Sequence, residues 1–164
     1  MNNKHSFEIL YKRFQPSLFQ YASYLTGNPN EASEIVNDVF ISIWHKKSSL
    51  SYDISLKSYL YRAVKNKCIN FLKKQKLDTV NDDDTINAIS SYQTDQSIID
   101  KEQRLILEKV MNTLPPKCKQ IFSMSRIDEL KNAEIADLLD ISIKTVEAQI
   151  TKALKIFKKK LTNE

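Results

Sequence analysis

Gly27 is the only glycine in the 164 residues. A fold built from hairpins spends glycine repeatedly, because tight turns between strands need residues at φ > 0. A chain with one glycine and four prolines is therefore poorly equipped for an all-β architecture. Long stretches instead repeat apolar residues at i, i+3, i+4 and i+7, the spacing of one helix face. The class is all-α. Apolar residues at 41% and charged residues at 27% suit a globular chain and not a disordered one, and the length suffices for one domain or two small ones.

Charge divides the chain into three. Residues 1 to 76 carry 12 Lys/Arg against 5 Asp/Glu, residues 77 to 100 carry 6 acidic residues and no basic one, and residues 101 to 164 carry 13 basic against 9 acidic. Two basic helical modules on an acidic string suit a protein that grips DNA at two separated places. The periodicity predicts domains at 1–76 and 98–164, joined over 77–97 by a flexible linker rich in Asp, Asn, Ser and Thr with Asp82, Asp83 and Asp84 at its centre. Such a linker is either a solubilising spacer or a segment that lies in a positively charged channel of a partner.

The first block reads as three helical segments. Residues 6–26 set Phe7, Leu10, Tyr11, Phe14, Leu18, Phe19, Ala22 and Leu25 on one stripe, with Pro16 expected to kink or break it, and Gly27-Asn28-Pro29 closes it. Residues 30–45 hold the cleanest period, through Ala32, Ile35, Val36, Val39, Phe40, Ile43 and Trp44. Residues 56–76 turn Leu56, Tyr59, Leu60, Ala63, Val64, Cys68, Phe71 and Leu72 inward. Their outer face holds Arg62, Lys65, Asn66, Lys67, Asn70, Lys73, Lys74 and Lys76 with no acidic residue. An ordinary solvated face mixes signs, so this one points to phosphate. Tyr52, Tyr59 and Tyr61 are candidates for stacking on bases, although Tyr59 falls on the apolar stripe.

The second block resumes helical period near Ile98 with Leu105, Ile106, Val110 and Leu114, and breaks at Pro115-Pro116. A short helix follows near Ile121. Residues 132–139, the turn Asp140-Ile141-Ser142 with Ser142 as N-cap, and a helix from Ile143 to about Leu161 then form a helix-turn-helix. In the last helix Val146, Ile150, Ala153, Leu154 and Phe157 face inward. Such pairs also serve as plain structure, but here Lys144, Thr145, Glu147, Ala148, Gln149, Thr151 and Lys152 point away from the core. They include partners for base edges: Gln for adenine, Glu for the cytosine amine, Thr for a thymine methyl. Lys155, Lys158, Lys159 and Lys160 suit phosphates.

The order and spacing of these segments resemble an extracytoplasmic-function (ECF) sigma factor, a two-domain promoter-recognition subunit of bacterial RNA polymerase. Residues 30–40 with Ile43-Trp44 are similar to that family's polymerase-binding helix. Residues 58–66, continuing through Asn70 to Lys74, are similar to its promoter-melting helix. Leu114-Pro115-Pro116-Lys117-Cys118, Glu134-Ile135-Ala136 and Lys144-Thr145-Val146-Glu147 are similar to its minus-35 reader. The resemblance implies a protein that docks on core RNA polymerase through Asn37, Asp38 and Ile41. It implies that loop 46–55 holds a flipped base, that Arg62, Asn66, Asn70 and Lys73 lie against the upstream edge of the minus-10 element, and that the linker threads toward the RNA exit path. Thr145, Glu147, Ala148, Thr151 and Lys152 fall at its minus-35 contacts, and an anti-sigma factor is a possible regulator. Two departures stand out: Asp140 and Glu129 occupy places that are often glycine in the family, and Asp tolerates a left-handed backbone better than most residues.

Other classes fit less well. Cys68 and Cys118, 50 residues apart, and His5 and His45 have no metal-site spacing, so buried reduced thiols are expected over a disulfide or sensor, with no metal or cofactor. An enzyme would need carboxylates in fixed geometry, which a polar linker cannot supply. The N-terminal residues do not resemble a signal peptide, and no apolar run approaches the roughly 20 residues that span a bilayer, so a soluble cytoplasmic protein is expected. The alternative is a free-standing helix-turn-helix regulator acting without polymerase, which would pair its DNA-binding part with a sensor or dimerisation domain.

Overall fold

The structure, a computed structural model, describes residues 3–46, 56–78 and 101–162. Apart from Lys46, Leu77 and Asp78, the expected loop over 46–55 and linker over 77–97 lie outside the described residues, as do Tyr52 and Ile98. Among the described residues there are seven helices, α1 (Asn3–Thr26), α2 (Pro29–His45), α3 (Leu56–Asp78), α4 (Lys101–Thr113), α5 (Pro116–Arg126), α6 (Asn132–Leu139) and α7 (Ile143–Thr162), and no strand. The chain divides into two compact units, Met1–Ser91 and Tyr92–Glu164.

In the first unit α1 packs against both α2 and α3, which also touch each other. Pro16 lies inside α1, and the helix runs through it unbroken. Proline removes one backbone donor, but Phe7 and Tyr11 before it and Leu18, Tyr21 and Ala22 after it are all held against neighbouring helices. Tertiary packing therefore keeps both halves in one helix. The helix ends where Gly27 takes φ 66 and donates its N–H to Ser23 O at 2.9 Å, a left-handed cap that suits glycine. Asn28 then caps α2, its side-chain oxygen accepting from the Asn30 and Glu31 amides at 3.0 and 3.3 Å with Pro29 as the first helical residue.

The core of this unit is Leu18, Tyr21 and Ala22 from α1, Ala32, Ile35, Val36, Val39, Phe40 and Ile43 from α2, and Leu60, Tyr61, Val64 and Cys68 from α3. Trp44 is only half-buried. Tyr61, a candidate for base stacking, is instead fully buried against Tyr21, ring centroids 5.1 Å apart. Tyr59 is half-buried. The ring of Tyr21 on α1, tilted 53° to that of Tyr61, accompanies Tyr61 into the core.

The second unit is built around α5, which contacts α6 and α7, while α4 lies against α7. Cys118, Gln120, Ile121, Phe122, Ser123 and Met124 of α5 are all buried, as expected of a helix enclosed by its neighbours. Val110, Met111, Leu114, Cys118, Phe122, Ala153 and Phe157 form one cluster, with the Phe122 and Phe157 rings stacked at 5.0 Å. The helix-turn-helix runs where the spacing put it. Two expected core residues face out, Leu105 at 57% and Leu154 at 45% exposure. Leu154 lies about 100° round the helix from buried Ala153, and Val110 and Met111 take the inner side of α4, with buried Leu114 just past its end.

Both expected glycine substitutes adopt the glycine conformation: Glu129 and Asp140 each have φ 53. Asp140 ends α6, and the next amide, Ile141 N–H, reaches back to Ala136 O at 3.0 Å, the six-to-one bond of a Schellman closure. After Glu129, Leu130 N–H bonds Met124 O at 3.0 Å, and at the start of α6 the Lys131 N–H bonds Glu134 Oε2 at 2.9 Å.

Candidate nucleic-acid interface

The helix-turn-helix presents α7 by its first three turns. Ser142 caps it, its Oγ accepting from Thr145 N–H at 3.1 Å and lying 2.8 Å from Thr145 Oγ1. Lys144, Glu147, Ala148, Thr151, Lys152 and Lys155 are exposed, whereas Thr145 and Gln149 are half-buried. The Thr151 hydroxyl donates to Glu147 O, 2.9 Å away. Behind this face the buried Cys118 thiol donates to Gln149 O at 3.3 Å and ties α5 to the middle of α7. Burial raises the Cys118 pKa, with the Lys152 charge opposing it. Glu147 is the only acidic residue on α7, against six lysines.

On α3, Arg62, Asn66, Asn70 and Lys73 form one exposed stripe at spacings of four, four and three, with Lys65 half-buried beside it. The only acidic residue on this helix is Asp78 at its end. Each unit thus carries one helix face rich in basic residues, the chemistry that suits phosphate.

A third surface lies on α2. Asn37, Asp38 and Ile41 are exposed, Ile41 to 55%. Each polar member is held from another helix: Tyr11 of α1 donates its hydroxyl to Asn37 Oδ1 at 3.0 Å, and Lys67 of α3 sits 3.5 Å from Asp38 Oδ2. Beside them opens an apolar groove of about 750 Å³ whose lining includes Phe7, Tyr11, Asn37, Phe40, Ile41 and Trp44. Phe7 meets Trp44 edge-on at 4.8 Å, and Tyr11 meets Phe40 at 4.8 Å. The periodicity had put Phe7, Tyr11 and Trp44 in the core. They are half-buried, lining the groove from α1 and α2.

Cys68 and Cys118 are free and buried. Among the described residues no group of His, Cys, Asp and Glu is arranged to hold a metal ion, and no helix is long and apolar enough to cross a membrane.

Comparison with known proteins defines the class. Residues 10–77 match the family model of Sigma-70 region 2, and residues 104–156 match that of Sigma-70, region 4. Among curated relatives, the RNA polymerase sigma factor SigV of Bacillus subtilis (strain 168) is 28% identical over 137 residues, covering 84% of this chain and 80% of SigV. The ECF RNA polymerase sigma factor SigW of the same organism is 25% identical over 158 residues, 90% of this chain and 84% of SigW. Two solved structures share the fold at 18% identity. CnrH, in complex with the cytosolic domain of CnrY, has a TM-score of 0.51 over 99% of this chain and 92% of its own. The sigma factor RpoE of Bartonella quintana, in complex with the anti-sigma factor NepR, has a TM-score of 0.55 over 96% and 97%.

Regions 2 and 4 in that order, on two helical units, are those of a sigma-70-type initiation factor. The chain belongs to the ECF sigma factors, non-enzymatic subunits that bind core RNA polymerase and direct it to promoter DNA. The first unit is therefore no sensor domain, which removes the free-standing regulator.

Proposed function

We propose that the three surfaces divide the work of initiation. Asn37, Asp38 and Ile41 of α2, with the adjoining aromatic groove, dock on polymerase. Arg62, Lys65, Asn66, Asn70 and Lys73 of α3 follow the phosphates at the upstream edge of the minus-10 element. Lys144, Thr145, Glu147, Ala148, Gln149, Thr151, Lys152 and Lys155 of α7 form the minus-35 reader. The working domains are 1–76 and 98–164, with the acidic stretch 77–97 between them and loop 46–55 holding the flipped base. The protein acts in the cytoplasm. An anti-sigma factor fits as a further partner, in keeping with the complex in which the similarly folded RpoE is found.

The observation that carries this assignment is the separation of surface chemistries. The α2 face is mixed and borders an apolar groove, as protein contacts need, while the α3 and α7 faces are lysine-rich and suit a polyanion. The test is a pull-down with core RNA polymerase using wild type, Asp38→Lys and Ile41→Glu, each checked for native helicity. Wild type should be retained and each variant weakened about tenfold or more, since misplaced charge at a contact costs several kcal/mol. Undiminished binding by both variants would remove α2 as the docking face; no binding by wild type would undo polymerase docking by this chain.

A further inference from the structure

The centre of the α7 face offers no hydrogen-bond donor. Ionised Glu147 only accepts, and Ala148 presents a methyl group. Thr151 has spent its hydroxyl proton on Glu147 O at 2.9 Å, which leaves its methyl and its oxygen lone pairs outward. Thr145, one turn nearer the N-terminus, shares its hydroxyl with Ser142 Oγ at 2.8 Å and donates its amide to the same atom at 3.1 Å. It therefore serves the cap. Gln149, the one amide in the stretch, is half-buried. Apart from the Gln149 amide, about 100° round the helix from Ala148, and the capping hydroxyls, the donors around the patch sit on the flexible lysines Lys144, Lys152 and Lys155, which suit phosphates.

In the major groove, guanine offers only acceptors at N7 and O6, while thymine adds a C5-methyl group and cytosine and adenine add amines. A donor-free patch leaves guanine's acceptors unmatched and pairs with methyls and amines. We infer that Ala148 and Thr151 read thymine through its methyl group and that Glu147 accepts from a neighbouring cytosine or adenine amine. The selectivity of this sigma factor at its upstream element then comes from apolar contact more than from hydroxyl hydrogen bonds. The inference rests on the assignment of α7 as the minus-35 reader.

The test begins with holoenzyme, assembled from this chain and core polymerase, selecting duplexes from a library randomised across the upstream element. Each thymine of the selected element is then replaced by deoxyuridine, which removes the methyl and keeps every hydrogen-bonding group. For wild type, at least one replacement should weaken binding about three- to fivefold, the effect of one lost apolar carbon contact. Thr151→Ser, which keeps the hydroxyl and loses the methyl, should abolish that penalty. Thr151→Val, which keeps the methyl and loses the hydroxyl, should retain it. Indifference to deoxyuridine at every position, or a valine variant that behaves like serine, overturns the inference and leaves the minus-35 assignment standing. A library that yields no enriched upstream element overturns the assignment of α7, and the inference with it.

Discussion

Cys68 sits with no exposed surface on α3, and burial pushes its thiol pKa up to about 12 from 9.0. Below pH 9 the folded and unfolded chains both keep this proton. Above it the unfolded chain loses the proton first, so stability falls as pH rises toward 12, by up to about 1.4 kcal/mol per unit. Thermal unfolding between pH 8 and 10.5 should show a steeper decline for wild type than for Cys68→Ala, and parallel slopes would refute it. That both thiols would be buried was legible from their spacing and apolar neighbours. The fate of Tyr59 and Tyr61 was not, because the period put Tyr59 on the inward stripe and Tyr61 outside it, whereas Tyr61 is the one buried against Tyr21, forty residues earlier. Among the site residues, the hydroxyl commitments of Thr145 and Thr151 were equally hidden, since a sequence shows a threonine's groups without showing where they turn.

At the scale of elements, α6 is the most exacting piece of the fold. It has eight residues, too few to be stable as an isolated helix, and it is bracketed by Glu129 and Asp140, both left-handed. A non-glycine residue in that region costs about 1–2 kcal/mol, less for Asp than for Glu. Glu129→Gly should therefore raise the stability of the second unit by about 1 kcal/mol and Asp140→Gly by less, read by urea unfolding; a loss at both positions would show the strain argument to be wrong. The start of α6, its turn and the start of α7 were readable to the residue, because a cap, a turn and a period change coincide there. Of the kink or break expected at Pro16, the break does not occur, because long-range packing of both halves of α1 keeps one continuous helix. Leu154 misled because a stripe of apolar residues does not reveal how wide a neighbour covers it.

For the molecule as a whole, the two basic faces lie in separate units, and in the roles proposed for them each would offer DNA only a few contacts. A chain alone should bind duplex weakly, with Kd above about 1 μM at physiological salt and a steep fall as salt rises; polymerase, by holding the units, should tighten binding to the same promoter by about a hundredfold or more. Fluorescence anisotropy with and without core polymerase measures this, and nanomolar promoter-specific binding by the free chain would contradict it. The two-unit organisation was visible in the charge blocks, since a domain that meets a polyanion advertises its sign over many residues. The groove beside α2 was not, since a concavity between helices arises from their crossing and has no sequence period of its own.

The left-handed turns at Glu129 and Asp140 also set a population. When α6 locally melts, both turns relax, so whatever strain they hold is returned to the open form. Each kcal/mol so held multiplies the melted fraction roughly fivefold. The segment packed against α7 is thus the one whose amides should trade hydrogen with solvent most often in the second unit, and the traffic there is governed by two backbone angles.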